Sequence, residues 1–227
     1  MLQLTVNDFR RLAAEVFGTF ALVFAGTGAI VINEVSGGAI THPGIALTFG
    51  LIVLAMIYAV GDVSGCHLNP AVTLGFWLAR RFESRLVAPY IASQICGAIG
   101  ASLLLKLLFP GDHNLGATLP VGSAIQSFGL EVVLTFILMF VILSVSSGSQ
   151  EKGLLAGVAV GSVIALEAMF AGPISGASMN PARSLAPALA SLRFESLWIY
   201  LLAPVLGSLL AVPLFQFIYG KTERADS

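Results

Sequence analysis

Charged residues are scarce in this chain. Asp, Glu, Lys and Arg make up 10% of its 227 residues, whereas 57% are hydrophobic, and this balance is far from that of water-soluble globular proteins. The mean hydropathy is +0.93. The net charge of −1 gives no basic surface that would attract nucleic acid. We therefore expect a protein of the lipid bilayer with no nucleic-acid partner.

Cysteine and histidine are scarce as well. Cys66 and Cys96 are the two cysteines, and both lie among apolar residues, so no disulfide framework is predicted. His42 and His67 are too isolated in the chain to predict a metal site. The sequence also lacks a nucleophile with a neighbouring base and a phosphate-binding loop. We expect neither an enzyme nor a bound cofactor.

Long apolar runs are abundant. We interpret six of them as membrane spans; they cover residues 12–32, 45–60, 86–109, 123–145, 154–171 and 197–219. The first run follows two arginines and exceeds a signal-peptide core, so we expect it to be retained as an anchor. Two shorter runs, 69–79 and 180–190, have about half the length that a membrane span needs.

The two short runs begin with the same motif. Residues 64–71 and 175–182 both read Ser-Gly, three variable residues, then Asn-Pro-Ala, and they lie 111 residues apart. Glu15 and Glu131 also recur at matching places, each with Thr-Phe four residues later. Shared hydrophobicity alone would not repeat these polar positions.

The repeat predicts how the chain is organised. Three spans per half is an odd number, so the second half enters the membrane from the opposite side. We therefore predict one channel domain over residues 1–227, with inverted repeats at 10–109 and 123–219. The two short helices then point at each other in mid-membrane.

The paired motif predicts a pore. Asn is a preferred N-cap and Pro a preferred first helical residue, so each Asn-Pro-Ala should begin a helix. Non-helical backbone at membrane depth is tolerated where it lines a cavity. The loop segments before the two motifs are therefore expected to form the pore wall with their backbone; the residues concerned are Gly65, Cys66, His67 and Gly176.

The chemistry of this pore would favour neutral solutes. The side-chain NH₂ groups of Asn69 and Asn180 can donate to a passing water molecule, which interrupts the water chain that protons would follow. The N-termini of the two short helices add positive partial charge at the same place and oppose cations.

These features resemble the aquaporin family over the whole chain, and residues 171–184 are most similar to its nodulin-26-like branch. The resemblance implies an all-α membrane protein with six transmembrane helices and two re-entrant half-helices. It also implies a homotetramer with one pore per subunit. The pore motifs would be Asn69, Pro70, Ala71, Asn180, Pro181 and Ala182, and the aromatic/arginine selectivity filter would be Phe49, Ala168, Ala177 and Arg183.

Arg183 breaks the symmetry of the repeat, because Val72 occupies the matching position. A fixed cation at membrane depth is costly unless it has partners or a function. The alternative is an arginine that extends to the membrane surface. Because the repeat places Arg183 beside the loop that lines the pore, we predict a filter residue.

The filter predicts the range of solutes. Water-selective relatives tend to have His where this chain has Ala168 and Cys or Thr where it has Ala177, so two alanines predict a wider opening. We expect water, glycerol-sized uncharged molecules and metalloid hydroxides such as arsenite or boric acid to pass. Two positions do not fit either subgroup fully. Nodulin-like relatives usually have Trp where this chain has Phe49, and glycerol facilitators have Asp where it has Ser184. A strictly water-selective channel is the alternative.

Other acidic residues leave alternatives open. Glu15 and Glu131 would suit a proton-coupled transporter, but we expect them to accept hydrogen bonds from the re-entrant loops. Glu167 could pair with Arg183 or reach a neighbouring subunit. Asp62 is interpreted as a solvated helix end rather than part of a gate. A non-conducting adhesion protein is a third alternative, in which the paired Asn motifs would have no role.

The distribution of basic residues predicts the orientation. Eight of them fall on one side of the predicted membrane and three on the other, which predicts that both termini are cytoplasmic. We expect this membrane to be the plasma membrane. The eight are Arg10, Arg11, Arg80, Arg81, Arg85, Lys152, Lys221 and Arg224, and the three are Lys106, Arg183 and Arg193.

Overall fold

The computed structural model describes residues 4–147 and 154–220. Within these ranges the chain forms eight α-helices. They are α1 (Val6–Val35), α2 (Thr41–Ser64), α3 (Pro70–Leu78), α4 (Ser84–Leu108), α5 (Ala124–Val145), α6 (Ala156–Ser175), α7 (Pro181–Ser191) and α8 (Leu197–Tyr219). Three of the basic residues used above to predict the orientation, Lys152, Lys221 and Arg224, lie outside the described residues.

Six of these helices, all except α3 and α7, are long and apolar enough to cross a membrane. Their number agrees with the sequence prediction, but some ends differ. Helix α1 begins six residues earlier than the predicted run, because the Thr5 hydroxyl and the Asp8 carboxylate form a reciprocal capping box there. Helix α6 continues to Ser175 despite Pro173. Pro173 cannot donate to Met169 O, and the His42 ring lies 2.7 Å from this carbonyl oxygen instead.

Glycines bring the long helices into backbone contact. A Cβ on Gly97 of α4 would overlap Val16 O of α1, and a Cβ on Gly207 of α8 would overlap Val132 O of α5. Small residues allow such close approach between membrane helices. The pair α1–α4 is therefore built in the same way as the pair α5–α8.

Helices α2 and α6 cross at a pair of facing glycines. A Cβ on Gly161 would lie 2.6 Å from Gly50 O, and a Cβ on Gly50 would overlap Gly161 O. Both helices also end in the same way, because Gly65 and Gly176 adopt the left-handed conformation that commonly terminates a helix. The chain then turns into the centre of the molecule on either side.

The two short helices occupy that centre. Helix α3 has nine residues and α7 has eleven, so together they extend over about 30 Å. The Ser208 hydroxyl of α8 donates to Ala71 O at 2.6 Å, and Lys106 Nζ of α4 donates to Ala190 O at 2.7 Å. Neither short helix could cross a bilayer alone, but one after the other they match its thickness.

Ion pairs close one end of the molecule, which we call the basic end. Asp8 pairs with Arg85 at 2.8 Å, and Arg11 pairs with Glu83 at 3.4 Å. The Arg11 guanidinium also lies over the Tyr90 ring. These contacts fasten the start of α1 to the connection between α3 and α4. We call the opposite end of the molecule, which is nearer to Arg183, the filter end.

Candidate pore and selectivity filter

The two Asn residues begin the short helices and link them. Asn69 Oδ1 accepts from Ala71 N at 2.9 Å, and Asn180 Oδ1 accepts from Ala182 N at 3.0 Å. Each therefore caps its own helix, as the motif predicts. Pro70 and Pro181 take the first helical position, where a missing N–H costs nothing.

Each Asn also donates across the centre of the molecule. Asn69 Nδ2 donates to Met179 O at 2.7 Å, and Asn180 Nδ2 donates to Leu68 O at 2.8 Å. An amide NH₂ carries two hydrogens, so each Asn retains one for a passing molecule. This reciprocal contact holds the two loops in register, and the motif alone did not predict it.

The loops before these Asn residues have strained backbone. Cys66 and Leu68 have φ of 50° and 52°, and the matching Ala177 and Met179 have φ of 41° and 54°. Non-glycine residues in this region cost on the order of 1 kcal/mol each. Such conformations persist only where the surroundings hold them.

Glu15 holds the first loop. Its carboxylate accepts from His67 N at 2.9 Å, Leu68 N at 2.8 Å and the Ser64 hydroxyl at 2.8 Å. Gln94 Nε2 adds a fourth donor at 2.8 Å. Glu15 is fully buried, and a buried carboxylate with several donors is a strong anchor for backbone N–H groups.

Glu131 holds the second loop in the same manner. Its carboxylate accepts from Ser178 N and Met179 N, both at 2.8 Å, and from the Ser175 hydroxyl at 2.9 Å. It too is fully buried. Both acidic residues therefore make the loop contacts that we expected, and their lone pairs are engaged by these donors.

Several supporting residues were missed from the sequence. Tyr90 donates from its hydroxyl to Ser64 O at 2.9 Å, and Tyr200 donates to Ser175 O at 2.7 Å. Each Tyr follows its Asn-Pro-Ala motif by about 20 residues, and this recurrence was a usable signal. Each pair fixes the last residue of a long helix just before the loop enters the centre.

His67 belongs to an aromatic cluster. Its ring stacks on Phe76 with centroids 4.7 Å apart and contacts Phe82 and Tyr90. Its Nδ1 lies 3.1 Å from the Thr73 hydroxyl. The His67 side chain therefore packs against these aromatic rings beside the channel, at the basic end.

A narrow internal cavity of about 130 Å³ follows the line between the two loops. It brings together most of the sequence-predicted site residues, namely Phe49, Gly65, Cys66, His67, Asn69, Ala168, Ala177, Asn180 and Arg183. Apolar side chains such as Val53, Ile57, Val160 and Ile164 form much of the remaining wall. Pro70, Ala71, Pro181 and Ala182 are buried at the helix starts behind this wall, and Gly176 ends α6.

Arg183 lies at the filter end of this cavity and is 2% exposed. Its Nη1 donates to Gly116 O at 2.8 Å, and its guanidinium lies 5.1 Å from the centre of the Phe49 ring. A cation over an aromatic face is favourable. The side chain is therefore enclosed beside the cavity and does not extend to the surface.

Phe49 is positioned by a glycine. A Cβ on Gly26 would overlap the Phe49 ring, so only glycine lets the ring lie against α1. Ala168 on α6 and Ala177 in the second loop are buried, line the same cavity and contribute one methyl group each. The four residues predicted to form the filter thus contribute one ring, one guanidinium and two small apolar groups to the wall of this cavity.

Glu167 forms neither of the two contacts considered for it from the sequence, which were an ion pair with Arg183 and a contact with a neighbouring subunit. It is 1% exposed, so it is buried within the subunit, and neither of its carboxylate oxygens has a hydrogen-bond partner among the described residues. The ion pair with Arg183 is absent from the described part of the chain, and a contact to a neighbouring subunit would need an accessible side chain. Asp62 is exposed at the end of α2, as the interpretation as a solvated helix end requires.

Comparison with known proteins shows extensive similarity. The family model described as major intrinsic protein matches residues 3–215. Aquaporin NIP1-1 from Oryza sativa subsp. japonica is 50% identical over 208 residues, which are 91% of this chain and 73% of that protein. Nodulin-26 from Glycine max is 44% identical over 215 residues, 94% of this chain and 79% of that protein.

A solved structure has the same fold. The X-ray structure of the aquaglyceroporin from Plasmodium falciparum superposes with a TM-score of 0.86 at 26% identity, covering 94% of this chain and 97% of that one.

Proposed function

This chain belongs to the major intrinsic protein family of water and small-solute channels, and we propose that it conducts glycerol-sized uncharged molecules together with water. The observation that carries the proposal is the filter composition. Ala168 and Ala177 contribute methyl groups where a larger or polar side chain would narrow the opening. Arg183 supplies a hydrogen-bonding wall, and the Phe49 ring beside it supplies an apolar wall.

Uncharged metalloid hydroxides, such as boric acid and the neutral form of arsenite, fall in the same class of solute. They carry several hydroxyl groups on a compact centre, as glycerol does. The guanidinium and the remaining N–H groups of Asn69 and Asn180 can donate to such oxygens in sequence. The apolar wall of the cavity offers little to a charged species, which would lose its hydration.

Protons and other cations are excluded at the centre in this proposal. Helices α3 and α7 begin there, and each N-terminus carries roughly half a positive charge. Water that accepts from the free hydrogens of both Asn residues has its lone pairs occupied, so it does not relay a proton. The Arg183 guanidinium adds a second positive barrier at the filter end.

The wider organisation is proposed on the same basis. Two matches between the halves support inverted repeats at 10–109 and 123–219 within one channel domain. Glu15 and Glu131 each hold their own loop in the same way. Gly97 and Gly207 each allow the same close approach between two helices. We place the basic end and both termini in the cytoplasm of a plasma-membrane protein, because the described basic end collects five arginines. Family membership supports a homotetramer with one pore per subunit.

The test of the solute range is an Ala168→His variant reconstituted into liposomes. Stopped-flow light scattering measures shrinkage by an impermeant osmolyte and reswelling in glycerol on the same preparation. We expect the imidazole to lower glycerol permeability at least about tenfold while water permeability falls much less. Ala168→Ser is the matched control, because it adds polarity with little volume and should keep glycerol flux.

Unchanged glycerol flux in Ala168→His would refute the filter assignment. Wild-type liposomes that shrink rapidly but do not reswell would identify a strictly water-selective channel. Flux that depends on a proton or sodium gradient would identify a coupled transporter. The hydrogen bonds that already occupy Glu15 and Glu131 argue against that last outcome.

A further inference from the structure

A side chain at the filter end joins helices α2 and α6. His42 Nε2 donates to Met169 O at 2.7 Å; a carbonyl oxygen can only accept, so this ring nitrogen carries the proton. The ring lies where Gly172 leaves room for it, because a Cβ on Gly172 would be 2.8 Å from His42 Cε1. The contact therefore fastens the first turn of α2 to the last turns of α6.

Pro173 is the reason that Met169 O needs a donor from another helix. In a regular helix the carbonyl of residue 169 accepts from the N–H of residue 173. Proline has no N–H, and its ring crowds that carbonyl, so a kink is the usual result. Helix α6 nevertheless continues through Pro173 to Ser175. The His42 ring thus replaces the missing backbone donor at the weakest point of α6.

This weak point lies between two residues of the predicted filter. Ala168 is five residues before Pro173 and Ala177 is four residues after it, so a bend at the proline would move one relative to the other. Phe49 follows His42 by seven residues, which is two turns along α2. One hydrogen bond therefore joins the helix that carries the filter ring to the helix that carries a filter methyl group.

A matching hydrogen bond joins the same two helices on the other side of their crossing. The crossing is at Gly50 and Gly161, and His42 lies eight residues before Gly50, about 12 Å along α2. Eight residues after Gly50, the Tyr58 hydroxyl donates to Leu154 O at 2.7 Å, just before α6 begins. Each of the two hydrogen bonds therefore limits the separation of the helices on its own side of the crossing.

We propose that His42 is a positioning residue that limits the width of the selectivity filter, a role that rests on the proposed glycerol channel. Its ring holds α6 against α2 beside Pro173 and so sets the distance between the Phe49 ring and the Ala168 methyl group. Without this hydrogen bond α6 can lean away from α2, and the opening widens. His42 acts through the backbone of α6 and does not have to touch the solute.

The test compares His42→Phe with Tyr58→Phe in liposomes. Each variant keeps an aromatic ring and removes one hydrogen bond between α2 and a backbone carbonyl, so Tyr58→Phe is the matched control. Stopped-flow light scattering measures the permeability to water, to glycerol and to the larger polyol xylitol. We expect His42→Phe to raise the ratio of glycerol to water permeability at least about twofold and the xylitol ratio further. Tyr58→Phe should keep the wild-type ratios.

A second comparison uses Pro173→Ala, which returns the backbone N–H that Met169 O lacks. In thermal unfolding, His42→Phe should lower the apparent melting temperature by about 2–4 °C in the wild-type background. The same substitution should have no effect in the Pro173→Ala background, because the carbonyl then has its own donor. This cycle does not depend on which solutes pass through the channel.

The outcomes separate this proposal from the proposed function. An unchanged or lower glycerol-to-water ratio in His42→Phe would overturn the role of His42, and so would an equal rise in Tyr58→Phe. A thermal effect that persists in the Pro173→Ala background would overturn it too, because His42 would then not act through Met169 O. Wild-type liposomes that exclude glycerol would refute the proposed function, while the thermal cycle would still test the contact of His42.

Discussion

Glu131 and Glu167 are both buried, and the structure predicts opposite consequences for changing them. Glu131 accepts three hydrogen bonds, two from the second re-entrant loop and one from the last residue of α6, whereas Glu167 has no hydrogen-bond partner among the described residues. We therefore compare Glu131→Gln with Glu167→Gln. The substitution is the same at both positions and changes the side-chain volume little, so the difference reports on the hydrogen-bond partners.

The expected magnitudes follow from these contacts. In Glu131→Gln an NH₂ group faces N–H donors. At least one charge-assisted hydrogen bond is therefore lost, which lowers the free energy of unfolding by about 1.5–3 kcal/mol. A buried donor is also left unpaired, which lowers it further by about 1–3 kcal/mol, the usual cost of such a group. The total of about 2.5–6 kcal/mol corresponds to a fall of roughly 5–20 °C in the apparent melting temperature. Glu167→Gln should change stability by less than about 1 kcal/mol, since no partner is lost.

Glu167→Met extends the comparison. Met56 occupies the matching position in the first half of the chain, so a thioether should fit between α6 and its neighbours. Removing a buried carboxyl without partners should stabilise the protein by about 1–3 kcal/mol.

The assay is thermal unfolding of detergent-solubilised protein at one fixed heating rate, followed by intrinsic fluorescence. Water permeability in liposomes provides the second readout, and it should fall in Glu131→Gln because the second loop lines the channel. The reasoning is refuted if Glu167→Gln destabilises the protein as much as Glu131→Gln does. An unchanged melting temperature in Glu131→Gln would refute it equally.

Two further predictions concern the channel wall. Gly26→Ala should push the Phe49 ring towards the filter and lower glycerol permeability more than water permeability in stopped-flow measurements. The control is Gly129→Ala, where the added methyl group meets open space and both permeabilities should be unchanged. Equal changes in glycerol permeability in the two variants would contradict the assigned position of the Phe49 ring. Mercury should block water flux through the wild type and Cys96→Ser, because Cys66 lines the channel and Cys96 lies on the surface. Full inhibition of Cys66→Ser would exclude this thiol as the target.

The sequence predicted the helices and the placement of the short ones because both depend on local patterns. Apolar run length identifies the spans, and Asn-Pro identifies a helix start. The positions of Asn69 and Asn180 relative to each other followed from the recurrence of the motif. Comparison with an aquaglyceroporin structure confirms the all-α membrane fold.

Contacts between segments far apart in the chain could not be predicted from the sequence where no repeated pattern indicates them. The reciprocal bonds of Asn69 to Met179 O and of Asn180 to Leu68 O depend on the register of two loops. The support of Arg183 by Gly116 O comes from a connecting segment whose path follows no periodic pattern. For Glu167 the sequence left two partners open, Arg183 or a neighbouring subunit, because a buried charge usually has a partner; its carboxylate is without a hydrogen-bond partner among the described residues.

The most direct test of the account is simultaneous measurement of water and proton flux through the wild-type channel. Liposomes loaded with a pH-sensitive dye are exposed to an osmotic step and, separately, to an acid step under a potassium-clamped membrane potential. We predict rapid shrinkage with a proton flux equal to that of protein-free liposomes, since Asn69, Asn180 and two helix N-termini should interrupt the water chain. Proton flux that rises with the amount of reconstituted protein would contradict it.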